Sequence, residues 1–512
     1  MRRSTGCRSV KHRLHKAQRA QSRERWRFAK QIRPDLDCGK KEVQWEGAVR
    51  HATFNNIPTA EDLAVVEEAI NKITREKIGV EVKLMPIVIW DYSSQVSLML
   101  QGGDQVDLFE SLGDFNNCVS TGMARDLTDM LDKDAAEACE LVGKEWLDAC
   151  SKKGRIYGIP TLKPIALTPM VVYRQDIADE PGLDMSAVSS VNDLTDIFRK
   201  VKEAKPDITP LAAVNSGNIG LNLTIPHVDY LSDDYYSPKG VLMNGEMTVV
   251  DYYASDIFKT TCELARTWYN EGLVMKDAAT TSSTAAELMS SGNYFCYVAS
   301  YSYPEADTAA SLEAQCGGYK LGAKIVGSAF LDTSAVNALS WMVSSTSKVP
   351  AAALKFLNLT FCDPDTINLV IYGIEGRDYV KNDDGTVRYP DGLEAASVPY
   401  TAQLSCGTFG NFFLMYPMEG TSFESLEWEK EQNKNAETSA AMGFTFDNKR
   451  VKTQYTAVSN VIEQYLPGLM TGAVDPETEI PVFLQRLSDA GLGDIIAAKQ
   501  TQLDEWLAGQ GK

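Results

Sequence analysis

Residues 341–379 read WMVSSTSKVPAAALKFLNLTFCDPDTINLVIYGIEGRDY, two short helices with their start and stop signals in place. Pro350 stands at the first position of the earlier helix, where proline gives up only an N–H that would lack a helical partner anyway. Ala353, Leu354, Leu357 and Phe361 then recur at three- and four-residue spacing, which makes one apolar stripe. Asp363-Pro364 opens the second helix with an acceptor side chain and another first-turn proline, and Gly373 is placed to close it. The closing turn, Gly373-Ile374-Glu375-Gly376, holds a carboxylate between two glycines and leads to Tyr379.

Strand–helix alternation extends outward from this stretch over nearly all the chain beyond residue 55, the pattern of an α/β protein with largely parallel sheets. Thr59 caps a helical run carrying Leu63, Val66, Ile70 and Ile73. Val80 to Leu84 alternates as a strand, residues 92–100 are helical, and Val106-Asp107-Leu108-Phe109 is a buried strand after the breaker Gly102-Gly103. Residues 134–150 read as one helix and 155–160 as a strand entering a turn. Residues 167–173 form an extended run, 192–204 a helix ending before Pro206, 210–214 a strand feeding Asn215-Ser216-Gly217, and 294–299 (YFCYVA) another strand.

A chain of 512 residues exceeds one ordinary core and implies two or three domains. With 44% apolar and 23% charged residues it has the composition of a globular protein, and it contains no apolar run long enough to span a bilayer. The net charge of −19 is unevenly spread: residues 1–50 hold 15 Lys/Arg against 5 Asp/Glu, leaving 35 against 64 in the remainder. So acidic a body repels phosphate backbones and anionic lipid, which argues against nucleic acid as a partner. The basic head lacks an apolar h-region and cannot act as a secretory signal. It reads either as a basic arm or, in the favoured reading, as a misread start; residues 1–50 are expected to be disordered. Ahead of the first helix, AVRHATF stands where a strand belongs.

The usual catalytic constellations are missing. Of four histidines, three (His12, His15, His51) lie at the head, and His227 beside Pro226 reads as a packing partner rather than a base. There is no G-x-S-x-G elbow, Walker A run, H-E-x-x-H or complete G-x-G-x-x-G. Ten cysteines include no C-x-x-C pair or zinc spacing, so neither a disulfide framework nor a metal site is expected, and no cofactor is implied. Asn382-Asp383-Asp384-Gly385-Thr386 could pass for a calcium loop but lacks the later ligands, and a hairpin turn explains it.

The order of the 341–379 helices, together with LTDMLDK, GRIYGIPTL, DLTDIFRKVKEAKPDITPL and FGNFFLMYP, resembles the extracellular solute-binding proteins (family 1, carbohydrate type) of ABC importers. The likeness is to the lipoprotein branch of gut Firmicutes with an extended C-terminal domain, and it covers most of residues 56–505. It implies a two-lobed periplasmic-binding-protein (Venus flytrap) fold with lobes discontinuous in sequence: 51–168 plus 297–343 for lobe one, 169–296 plus 344–512 for lobe two. It also implies capture of a small solute, sugar favoured, by a monomeric cell-surface lipoprotein that docks on the transmembrane permease subunits. Neither signal peptide nor lipobox is present in the chain as read. The alternatives are a glycan-active enzyme and a surface glycan-binding adhesin without a transporter.

A sugar offers C–H faces to aromatic rings and hydroxyls to carboxylates, amides and ammonium groups, on loops at strand C-termini. By that logic, and by the resemblance, the candidate solute-binding residues are Trp90, Ser111, Asp114, Lys163, Asn215, Tyr301, Glu375, Phe409 and Asn411. Several carry a plainer reading. Trp90 is as well suited to the core, with packing favoured; Asp114 to capping the helix at Phe115; Glu375 to holding its own turn; and Asn411 to satisfying a glycine-flanked turn.

Overall fold

The computed structural model describes residues 57–179, 183–402 and 407–509 in full and the backbone of 46–53. The head, apart from 46–50, lies outside the described residues. Strand β1 (Glu46–Thr53) pairs in parallel with β2 (Glu81–Val88) along its whole length and touches β3 (Leu108–Glu110). AVRHAT is therefore part of a strand that its sequence does not advertise: a parallel ladder to β2 supplies what alternation fails to signal. Helix α1 (Ala60–Ile78) follows, with Thr59 Oγ1 accepting from Asp62 N at 3.1 Å and Gly79 closing it at φ 69°. Helix α2 (Ile89–Gln101) leaves directly from β2. Strand β4 (Ile159–Pro160) completes this first sheet through β9 (Ser340–Val343), giving the order β2-β1-β3-β9-β4 with β9 antiparallel to both neighbours.

The second sheet has the order β8-β5-β7-β6, from β5 (Thr168–Arg174), β6 (Thr209–Leu211), β7 (Tyr294–Tyr301) and β8 (Leu321–Ile325). Strand β5 runs antiparallel to β7 and β8, and β6 runs parallel to β7. Helices α3 (Leu194–Ala204) and α4 (Asp256–Asn270) cover it, with Trp268 fully buried edge-on to Phe198 at 5.0 Å.

The lobe boundaries differ from the sequence expectation in two places. Helices α5 (Pro350–Cys362) and α6 (Pro364–Tyr372) carry the stripe read from sequence, but Leu354, Leu357, Phe361 and Ile367 bury it with Val66, Leu108 and Trp341. Residues 344–418 thus complete lobe one, not lobe two. Conversely β7 and β8 lie wholly in lobe two, so lobe one resumes at 340 rather than 297. An apolar stripe says that a helix covers something, not which sheet it covers. The run 134–150 is likewise two helices, 136–142 and 144–149, split where Gly143 takes φ 80°.

Past residue 418 the chain returns to lobe two through α7 (Phe423–Asn435), α8 (Lys452–Met470), α9 (Pro476–Asp489) and α10 (Leu492–Gly509). Val458, Ile462, Phe483, Leu487, Ile495 and Leu503 from the last three helices join Phe198, Phe258 and Trp268 in one core. Residues 382–386 form the expected hairpin, between short antiparallel strands at 380–381 and 387–388. The described cysteines are all free.

Topology determines which edges face each other. Strands β1, β2, β3 and β4 end on the same edge of their sheet, where β9 begins. In the other sheet β5 begins on the edge where β6, β7 and β8 end. The seven-residue link 161–167 joins β4 to β5 and can span no more than about 25 Å, so those two edges are adjacent. A second crossing, 326–339, leads from β8 to β9. Asn433 on α7 braces the first: its Oδ1 accepts from Ile165 N and Ala166 N, both at 3.0 Å, and its Nδ2 donates to Lys163 O at 2.6 Å.

Candidate functional site

On the lobe-one edge, Trp90 occupies the first turn of α2, immediately after β2, and is 83% exposed. Core packing, the plainer expectation, is excluded by that exposure. Tyr92 of the same turn is buried instead, its hydroxyl accepting from Glu110 N at 2.7 Å. Helical geometry forces the choice, because positions two apart point to different sides. Asp114 is exposed; its Oδ2 accepts from Asn117 Nδ2 at 2.8 Å and caps no backbone N–H. Lys163, on the first crossing, is half-buried, and its charge acts on the Glu110 carboxyl at the end of β3.

On the lobe-two edge, Asn215 is exposed in the loop after β6. Tyr301 ends β7, half-buried, with its hydroxyl 2.7 Å from that of Tyr297, and burial pushes the phenol up to about 12. Trp90 and Asp114 thus follow strand ends in the first sheet, Lys163 lies on the first crossing, and Asn215 and Tyr301 stand at strand ends of the second sheet, Trp90 being beside the strand farthest from that crossing.

Four expected residues do other work. Ser111 is buried, donating to the carbonyls of Asn337 and Ala338 and accepting from Ser340 N at 3.0 Å, so its hydroxyl ties β3 to the second crossing. Phe409 lies in the lobe-one core, 4.3 Å from the Trp341 ring, whose Nε1 donates to Thr408 O. Asn411 is buried, its Nδ2 donating to Phe361 O and its Oδ1 accepting from Phe413 N, the turn-holding role. Glu375 pairs with Lys381 at 3.4 Å and bridges to Tyr379 within its own turn. The resemblance placed Phe409 and Asn411 near the cleft, but an aromatic and a glycine-flanked amide look the same in sequence whether they line a core or a crevice.

The structure also brings up carboxyls that sequence reasoning passed over. Glu110 is buried with neither carboxyl oxygen hydrogen-bonded, and burial raises its pKa well above the usual carboxylate range while Lys163 pulls it back. Glu429, one helical turn before Asn433 on α7, accepts from Ser302 Oγ at 2.6 Å through Oε1, while its Oε2 has no partner. Burial raises that carboxyl to about 7, with the Ser302 bond opposing. In an acidic chain nothing marks these two residues out; only burial does. Two surface cavities, of about 560 and 380 Å³, are lined by lobe-one residues between Lys77 and Asn358 and include none of these groups.

A raised carboxyl favours the fold at low pH. Below about pH 4 Glu429 is protonated in both states; between there and pH 7 the unfolded chain releases a proton that the folded chain keeps, so stability falls as pH rises. Glu429→Gln, neutral throughout, is expected to gain on the wild type by up to about 1.4 kcal/mol per pH unit from pH 5 to 7. Urea denaturation at several pH values measures this, and parallel curves would refute it.

Two α/β lobes joined by short crossings at their facing edges, with an exposed ring and polar groups on those edges, have the architecture of a hinged binding protein. The chain belongs to the bacterial extracellular solute-binding protein family, whose model matches residues 58–360. A second model, a domain of unknown function (DUF3502), matches residues 440–508. The chain is 25% identical over 445 residues to a carbohydrate ABC transporter substrate-binding protein of Streptococcus pneumoniae serotype 4, covering 85% of this chain and 87% of that protein. Among solved structures it is similar to the N-glycan transport solute binding protein NgtS of Streptococcus pneumoniae, with TM-score 0.74 and 22% identity, covering 91% of this chain and 99% of that one. An HMO-binding ABC-transporter-associated solute binding protein from Bifidobacterium longum infantis overlays with TM-score 0.61 at 15% identity, covering 90% and 99%.

Proposed function

We propose that this protein is the extracellular receptor of an ABC importer, that it takes up a carbohydrate, an oligosaccharide in preference to a single sugar, between its lobes, and that it performs no chemistry on it. The observation that carries the reading is Trp90, a large ring 83% exposed at the C-terminal end of a parallel strand, on the edge facing the other lobe. Such a ring covers the C–H face of a pyranose at little entropic cost, and polar groups around it pair with hydroxyls. Trp90, Asp114 and Lys163 would engage the solute from lobe one and the first crossing, Asn215 and Tyr301 from lobe two. Because a ligand shifts a conformational equilibrium only by its differential affinity, contacts from both lobes are what make it select the closed form. That form would dock on the permease, with the receptor held at the cell surface as a lipoprotein. The relatives' names, which specify carbohydrate, N-glycan and HMO, support a glycan solute.

A melting-temperature screen over sugars and peptides tests this. An oligosaccharide at about a hundredfold excess over its Kd should stabilise the fold by about 2.7 kcal/mol. The same ligand should reduce the radius of gyration in small-angle scattering and be recovered unaltered after prolonged incubation. Stabilisation without compaction would favour the adhesin reading, and a cleaved product the enzyme reading.

A further inference from the structure

The loop 229–238 (DYLSDDYYSP) in lobe two is held in an unusual conformation. Leu231 and Ser232, neither a glycine, both take left-handed backbone angles, φ 51° and 72°. Consecutive residues of that kind persist only where the surroundings over-determine them, and they cluster at ligand clamps. Here the surroundings are visible. Asp229 Oδ1 accepts from Leu231 N at 2.7 Å, while its Oδ2 accepts from Ser439 Oγ. Asp233 is gripped by Lys499 Nζ at 2.7 Å, by Lys239 N at 2.5 Å and by the Tyr455 hydroxyl.

What this bracing presents is a pair of rings. Tyr235 and Tyr236 lie 4.0 Å apart between centroids, tilted by 37°, and Tyr235 is 38% exposed. Asn218 Nδ2 donates to the Tyr236 hydroxyl at 2.8 Å, which ties the pair to the loop after β6 that carries Asn215. The start of the loop lies beside the second crossing. Gly220, two residues beyond Asn218, packs against Val298 near the end of β7, and His227, just before the loop, pairs with Glu437 at 2.7 Å in the strand beside 330–331.

We propose that Tyr235 and Tyr236, with Asn218 and Asn215 beside them, form a stacking platform for a neutral sugar ring, the lobe-two counterpart of Trp90. This rests on the receptor reading above and extends it to a specific subsite. A ring on each lobe means that a ligand long enough to reach both gains stacking from each only when the lobes approach. A single sugar engages one ring and drives closure less. The platform therefore sets a preference for a chain of sugars over a monosaccharide.

Calorimetric titration of the full chain with Man1GlcNAc, Man5GlcNAc and kestose tests the assignment, with melting temperature recorded for every variant. Tyr235→Ala is expected to weaken whichever oligosaccharide the wild type binds by about tenfold, while Tyr235→Phe, which keeps the ring, stays within about threefold. The melting temperature of unliganded Tyr235→Ala should fall only slightly, because the ring is 38% exposed and lies outside the buried core. Wild-type binding with Tyr235→Ala unchanged, or with Tyr235→Phe equally weakened, overturns the platform and leaves the receptor standing. A wild type that binds none of the three, nor any sugar in the melting screen, overturns the receptor reading and the platform together.

Discussion

Trp90→Ala should weaken oligosaccharide binding by about ten- to thirtyfold, a loss of roughly 1.5–2 kcal/mol of the kind seen when a central aromatic anchor is truncated. The prediction depends on where the ring stands. Trp90 is 83% exposed, so its removal creates no cavity, and the unliganded melting temperature should barely move. Its neighbour Tyr92 provides the contrast: it is 1% exposed and its hydroxyl receives the Glu110 N–H, so Tyr92→Ala should cost stability. Titration calorimetry on both variants separates the two effects. Should Trp90→Ala bind as tightly as the wild type, the exposed ring is not a solute contact and the site built around it fails. Trp90→Phe should keep part of the affinity, because a smaller ring still covers a sugar face.

The second large effect is on folding. Lys499, on α10, is completely buried; its Nζ donates to Asp233 Oδ2 at 2.7 Å and Gly240 O at 2.8 Å, with Tyr230 O at 3.3 Å. Burial lowers its pKa while Asp233 opposes that shift. Replacing it with methionine fills most of the volume but leaves Asp233 as a buried charge without its cation, and the expected cost is about 3–5 kcal/mol. Lys499→Met combined with Asp233→Asn should recover part of that loss, because the amide carries no charge to compensate. Urea midpoints for the single and double variants decide it, and a single variant within about 1 kcal/mol of wild type would refute it. The same pair explains the segment matched as a domain of unknown function. Residues 440–508 are not an appended module: Phe444, Phe446, Ile462, Phe483 and Leu503 share one core with Phe198 and Trp268. The Lys499–Asp233 bond then locks that segment to the loop that carries Tyr235.

How much was legible varies with the range of the physics involved. The starts of the helices at 350–362 and 364–372 and the end of the second were legible, because a first-turn proline and a closing glycine act within one turn of chain, although the Asp363 side chain makes no cap hydrogen bond. Strand β1 could not, since its stability comes from pairing with β2 rather than from its own alternation. Among the candidate ligands, Trp90 was weighed towards the core and is exposed, while Phe409 and Ser111 were placed in the crevice and are buried. The residue type was informative in each case, but its direction depended on which face the neighbouring elements left open.

Sequence by itself determined the α/β class, many of the helices, the lack of familiar catalytic motifs and the family resemblance, because periodicity and punctuation are local and survive without coordinates. Tertiary structure alone decided that 344–418 closes lobe one, that 440–508 is built into lobe two, that Glu110 and Glu429 are buried, and that the rings of Tyr235 and Tyr236 pair. Those facts concern burial and the meeting of residues far apart along the chain. A carboxylate's desolvation, or a ring's exposure, is a property of what folds around it and is written in no single stretch of sequence.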